Sequence, residues 1–202
     1  MKKTIFFILT LAIPVSIFLF LKIFGTNTFE VPYLFVKGIP DCSNSSDSHT
    51  VPELNFIGET EKNLHTSQLD GFMIYGVLDA DKPDSNKEMI VELIRIQDAF
   101  YEVEAPYLLI FVKGDSHGRI VMESQCKEMG LSLENSTIAF MKNEELLDFL
   151  KCGIALIDEN TEGFTNLVLV DPEKRIRGIY NGLDVEQTDQ LILELRILKK
   201  NS

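Results

Sequence analysis

Four short, largely apolar runs, residues 72–78, 107–112, 136–140 and 167–170, constrain the fold of this chain more than any other feature. Each is too short for an ordinary helix and carries little polar surface, the pattern of strands buried on both faces. Between them the apolar period lengthens. Met89, Leu93, Ile96, Gln97 and Phe100 recur at helical spacing, with Ile90 and Ile94 beside them. Ser85 and Glu88 have the spacing of a capping box at the start of that helix. Residues 121–129 predict a second helix stopped by Gly130. Asn143 predicts the cap of a third, running to Leu150 with Gly153 just past it.

The flanks add two hairpins and a closing helix. Residues 54–57 predict a strand, Gly58-Glu59 a turn, and residues 62–65 a polar return strand. Asp171-Pro172-Glu173-Lys174 predicts a turn into a strand over residues 175–180. Asp184 with Gln187 opens a last helix whose apolar face is Leu191, Ile192, Leu195 and Leu198. The order is hairpin, β, α, β, α, β, α, β-hairpin, α. Strands alternating with helices predict an α/β domain with a central mixed sheet flanked by helices. The closing hairpin and terminal helix make the expected fold thioredoxin-like. There are no internal repeats.

Ahead of this domain lies an uncharged apolar run over residues 4–21, preceded by Lys2 and Lys3 and followed by Lys22, Ile23 and Phe24. About 20 apolar residues suffice for one helical crossing of a bilayer. The reading is therefore a cytoplasmic tip (1–3), a transmembrane signal anchor (4–24), a linker or loop (25–50) and a domain (51–202). The lysines keep the tip inside and send the domain outward. The run is longer than a cleaved signal's apolar region and ends in bulky residues, which favours an uncleaved anchor. Pro14 predicts a kink within the span.

The net charge is −12, and residues 1–24 hold three lysines and no acid; the remainder carries 16 basic and 31 acidic residues, a net −15. Such a surface repels nucleic acid and anionic lipid heads. It is read as a solvated face, with no nucleic-acid partner. With 14 Phe and no Trp, the core must be built from Phe, Leu and Ile. No G-x-G-x-x-G, phosphate-loop or nucleophile-elbow motif is present.

The stretch from Leu167 to Gly182, with Val170-Asp171-Pro172 and Ile176-Arg177-Gly178-Ile179-Tyr180-Asn181-Gly182, resembles a segment of the Sco/SenC family, thioredoxin-like copper chaperones of cytochrome oxidase assembly. Residues 51–56 are similar to that family's opening strand, and Leu69-Asp70-Gly71 to its approach to the first central strand. The resemblance implies a Cys-Pro-x-x-Cys-Pro motif opening the first helix and a distant His. Two thiolates at a helix N-terminus suit a soft Cu(I) ion. Met89 and Gln97 look like the family's Met and Gln on that helix and set the register. Pro83 then falls on the motif, but Lys82 and Asn86 stand at the cysteine positions. The segment before the Leu167 strand reads Gly163-Phe164-Thr165-Asn166, without His, and Val112 leads into Lys113-Gly114 in place of an acidic Asp-Pro. On this reading the motif is vestigial at Lys82, Pro83 and Asn86, with no copper and no catalytic residue expected there.

Cys42, Cys126 and Cys152 remain, none at C-x-x-C spacing. Cys126, with Met122 and Met129 on about the same face, is read as a small buried hydrophobe. A Cys126–Cys152 bridge and an intermolecular or exchange role for Cys42 both stay open, since connectivity does not follow from sequence. His49, His65 and His117 are scattered, His117 on an expected loop, and are read as surface residues. Asp171, Arg175 and Arg177 are read as a turn acid and arginines on an edge hairpin. The resemblance implies a non-catalytic accessory or docking factor in respiratory oxidase assembly. It would be held in a bacterial inner membrane through residues 4–24, with its domain in the periplasm and oxidase subunits or other periplasmic proteins as partners. The alternative is a thiol–disulfide redox protein using Cys42, Cys126 or Cys152.

Overall fold

The structure, a computed structural model, describes residues 12–20, 22, 31–40, 42, 48–58, 63–101, 104–156 and 164–201. The chain forms two compact units, Met1–Glu30 and Val31–Ser202. In the first, residues 12–20 are helical (α1), with Ile13, Ile17, Phe18 and Phe20 exposed. Among the described residues no helix is long and apolar enough to cross a membrane. Most of the expected anchor over residues 4–24 lies outside the described residues.

In the second unit, β1 (Asn55–Ile57) pairs antiparallel with β2 (Asn63–His65). Then follow β3 (Met73–Asp79), α2 (Pro83–Ala99), β4 (Tyr107–Lys113), α3 (Ser116–Met129), β5 (Ser136–Ala139), α4 (Asn143–Asp148), β6 (Asn166–Val170), β7 (Ile176–Asn181) and α5 (Val185–Asn201). The five-stranded sheet has order β5-β4-β3-β6-β7. β3, β4 and β5 are mutually parallel, and β6 and β7 run antiparallel to their neighbours. This is the expected thioredoxin-like α/β architecture, with its element order intact.

Strand alternation divides the core into two layers. Ile74, Leu78, Leu108, Ile110, Leu167 and Leu169 pack with α2, α3 and α5 on one face. Met73, Tyr75, Val77, Leu109, Phe111 and Val168 pack with Phe149, Leu150 and Ile154 on the other. Phe149 belongs to a π-helical turn, Phe149–Gly153, that continues α4. Gly76 sits in the middle of β3, where a Cβ would lie 3.0 Å from Leu167 and 3.1 Å from Met89, so the helix packs close on bare backbone there.

Several boundaries differ from expectation. α2 begins at Pro83, whose ring fits the first helical position, and no side chain caps it, so Ser85 and Glu88 form no capping box. α3 starts at Ser116, earlier than residue 121, because the Asp115 carboxylate accepts from Gly118 N–H at 2.7 Å. His117 therefore lies in a helix rather than a loop. Gly130 ends α3 at φ 101, the left-handed region that glycine enters without a Cβ clash. Lys142, not Asn143, is the residue before α4. Asp184 caps α5 as expected, accepting from Glu186 N–H at 2.9 Å while Gln187 reaches back to it at 3.1 Å. Residues 31–40, expected as linker, belong to the domain: Leu34 N–H donates to Ile176 C=O at 2.7 Å, Arg177 to Val31 C=O at 2.7 Å.

Candidate functional site

The Sco/SenC resemblance places its motif at the junction between β3 and α2, and the geometry there follows from three residues. Asp79 ends β3, Lys82 precedes the helix with φ −126 and ψ 65, and Pro83 opens it. Asn86, one turn into the helix, is buried at 3% exposure. Its Oδ1 accepts from Asp79 N–H at 3.1 Å and its Nδ2 donates to Asp79 C=O at 2.7 Å. The carboxamide thus closes on both polar groups of one peptide residue, and only this orientation of the amide matches donor to acceptor. Nδ2 also lies 3.2 Å from Met122 Sδ on α3.

The Asp79 carboxylate is itself nearly buried and is answered by Lys113, its register partner on β4, at 3.1 Å. Its other oxygen accepts from Asp81 N–H at 3.1 Å. Lys113 Nζ also sits 5.0 Å from the ring centre of Phe164. The small space left, about 80 Å³, is lined by Lys82, Asn86, Met89, Phe164 and Thr165 among others. The junction and the segment before β6 therefore face one another, as the register implied, with Phe164 and Thr165 present on that segment. Lys82 and Asn86 offer no thiolate for Cu(I) or for electron exchange, and the sulfurs beside them are the thioethers of Met89 and Met122. Among the described residues, no group of three or more His, Cys, Asp or Glu converges on a metal position.

Cys126 is a small buried residue, as the sequence implies, but the bridge is not the Cys126–Cys152 one. Cys42 and Cys152 form a disulfide, Cα–Cα 5.6 Å, and Cys126 is free and fully buried. A Cys126–Cys152 bridge is ruled out because the sheet intervenes: Cys126 packs with α2 and α5, whereas the turn bearing Cys152 packs on the opposite face. Burial, with a smaller contribution from Glu123, pushes the Cys126 thiol up to about 12, so it stays protonated and inert at neutral pH. The bridge lines a second, open cleft of about 890 Å³ that shares no residue with the junction pocket. His49 Nε2 donates to Gly153 C=O at 2.7 Å beside it. His65 bonds Ser67 locally at 2.5 Å, and the three histidines do not converge.

Asp171 is buried at 2% exposure and accepts from Arg175 N–H at 2.9 Å, Arg175 Nε at 2.8 Å and Arg177 Nε at 2.7 Å. The two guanidiniums also lie 5.3 and 5.8 Å from the Tyr33 ring centre. These residues staple the β6–β7 turn and hold residues 31–34 along the edge strand β7.

No protein-family model and no curated protein matches the chain. Solved structures do. BsSco, described as a member of the Sco family of cytochrome c oxidase assembly proteins with a disulfide switch, superposes at TM-score 0.62 and 14% identity, covering 76% of this chain and 95% of its own. A Sco1/SenC family lipoprotein from Bacillus anthracis superposes at 0.60 and 13%, covering 80% and 99%. ScoI from Arabidopsis thaliana, solved with copper bound, superposes at 0.56 and 15%, covering 73% and 98%. The fold is that of the Sco proteins. Within this thioredoxin-like fold the chain differs where the resemblance expects chemistry: Lys82 and Asn86 occupy the junction, and the only disulfide among the described residues joins Cys42 to Cys152.

Proposed function

We propose that this chain is a divergent Sco-type protein that acts as a membrane-anchored, extracytoplasmic accessory or docking factor in the assembly of a respiratory oxidase, without carrying copper at the junction and without catalysis there. The observation that carries the reading is the Asn86 carboxamide, buried and bonded to both backbone groups of Asp79 where a thiolate is expected. The pairing spends the amide on the fold and leaves the junction occupied. The apolar run over residues 4–21 with its flanking lysines supplies the anchor in the bacterial inner membrane, and the acidic domain faces the periplasm.

Titration of the protein with Cu(I) against a competing chelator of known affinity tests the first half. No stoichiometric binding is expected, and tight binding at the junction overturns it. Crosslinking in native membranes tests the second half. Oxidase subunits are the expected partners, and their consistent absence refutes the assembly role.

A further inference from the structure

We propose that the Cys42–Cys152 disulfide is a thiol–disulfide exchange site for a dithiol protein that carries positive charge around its own thiols. The site is separate from the junction and does not depend on the reading of Asn86. The two cysteines are 110 residues apart and meet on the sheet face opposite α2, α3 and α5. Both are half-buried and both line the open 890 Å³ cleft, so an incoming thiol reaches the sulfurs without unfolding the domain.

The surroundings suit opening and reclosing. Cys152 sits in the π-helical turn, a wide form of helix that recurs at functional positions. Two non-glycine residues nearby in the chain, Phe35 at φ 57 and Ala155 at φ 50, hold left-handed backbone, which stores strain around the bridge. His49 ties the two arms together independently of sulfur. Its backbone N–H donates to Phe35 C=O at 3.1 Å, and its ring donates to Gly153 C=O at 2.7 Å. When the S–S bond opens, this strap keeps the thiols near one another.

The two sulfurs are not equivalent. Cys152 lies near the C-terminal end of a helical stretch, whose dipole disfavours a thiolate, whereas Cys42 lies in irregular backbone. Cys42 is the better leaving group. A partner thiolate attacks Cys152 Sγ, the Cys42–Cys152 bond breaks, and Cys42 leaves as thiolate and takes a proton. The partner's second thiolate then attacks its own sulfur in the mixed disulfide, and Cys152 leaves and is protonated. The chain gains two electrons and two protons and ends as a dithiol, while the partner ends as a disulfide. Among the described residues the cleft lining holds Glu53, Glu145 and Asp148 and no Lys or Arg, so it favours a cationic thiol.

The test uses the full-length oxidised chain carrying Cys126→Ser, under native conditions, with cationic cysteamine and anionic mercaptoethanesulfonate as probes. Adducts are trapped by alkylation and located by mass spectrometry. The bridge is expected to open with the far-ultraviolet circular dichroism unchanged. Cysteamine should be favoured by about fivefold or more over the preference seen in the urea-unfolded chain. The triple variant E53Q/E145Q/D148N should remove that excess, and adducts should fall mainly on Cys152. Adding His49→Ala should slow reclosure after the probe is removed. A bridge that opens only in denaturant, or that shows no charge preference beyond the unfolded chain's, is a structural staple and overturns the proposal. Adducts mainly on Cys42 overturn the assigned direction of attack.

Discussion

Asn86→Ala tests whether the junction amide is structural. The substitution removes the acceptor of Asp79 N–H, at 3.1 Å, and one of the donors to Asp79 C=O, at 2.7 Å. The carbonyl is not orphaned, because Lys82 N–H also donates to it at 2.9 Å. The N–H is orphaned, in a residue only 5% exposed. A buried donor without a partner costs about 1–3 kcal/mol, and a lost net hydrogen bond about 1 kcal/mol more. The expected destabilisation is therefore about 2–4 kcal/mol, which for a domain of this size lowers the melting temperature by roughly 4–16 °C. Urea unfolding of residues 31–202, with the Cys42–Cys152 bridge intact in both proteins, measures it at unchanged m-value. A loss under about 1 kcal/mol would refute the reasoning, since Asp79 N–H would then have found another partner.

Three further outcomes are expected. Asp171→Asn leaves Arg177, only 14% exposed, without its buried anion and should destabilise the domain by about 2–4 kcal/mol in the same urea assay. Above pH 9 the domain should lose stability. The Cys126 thiol is raised by burial and by Glu123 from its ordinary 9.0 to about 12, and burial raises the Tyr75 and Tyr180 hydroxyls too, so the unfolded chain releases these protons first. The Cys126 contribution is whole below about pH 9 and falls by up to about 1.4 kcal/mol per pH unit above it; Cys126→Ala should move the onset to about pH 10, where tyrosines begin. The double variant K82C/N86C should form a reactive dithiol at the start of α2 that binds Cu(I) through two sulfurs, and adding Thr165→His should tighten binding across the pocket; copper X-ray absorption counts the ligands, and a domain that folds but binds none refutes the register.

The order of the elements in the domain was legible because buried strands and amphipathic helices leave different periods in the sequence, and every strand and helix expected within residues 51–202 is present. Their ends were less so. Ser85 and Glu88 have cap spacing, yet Pro83 starts α2 earlier with no side-chain cap, because its fixed φ and missing N–H already suit the first turn. The polar start of α3, Ser116-His117-Gly118, hid a helix that the Asp115 cap secures. The role of Asn86 did leave a signal: with Ile90 and Leu93 it lies on the buried stripe of α2 at positions i, i+4 and i+7, where a polar residue requires a partner. The disulfide left none: its halves are 110 residues apart, and the one bridge the sequence left open, Cys126–Cys152, has the sheet between its ends.

The junction shows how an amide takes a structural role where the Sco/SenC resemblance expects a thiolate. A thiolate at the first turn of a helix is favoured by the helix field. The amide at Asn86 points back at the strand that feeds the helix, and its two ends match the N–H and C=O of Asp79. The field at the start of α2 is met instead by Asp84, and the Asp79 carboxylate is neutralised by Lys113. Each replacement supports the others: Asp79 is held by Asn86 through its backbone and by Lys113 through its side chain. Restoring sulfur at position 86 would therefore remove a structural bond as well as add a ligand. A single change toward metal chemistry is opposed by roughly the 2–4 kcal/mol that the amide contributes, and that coupling holds the junction in its present, closed form.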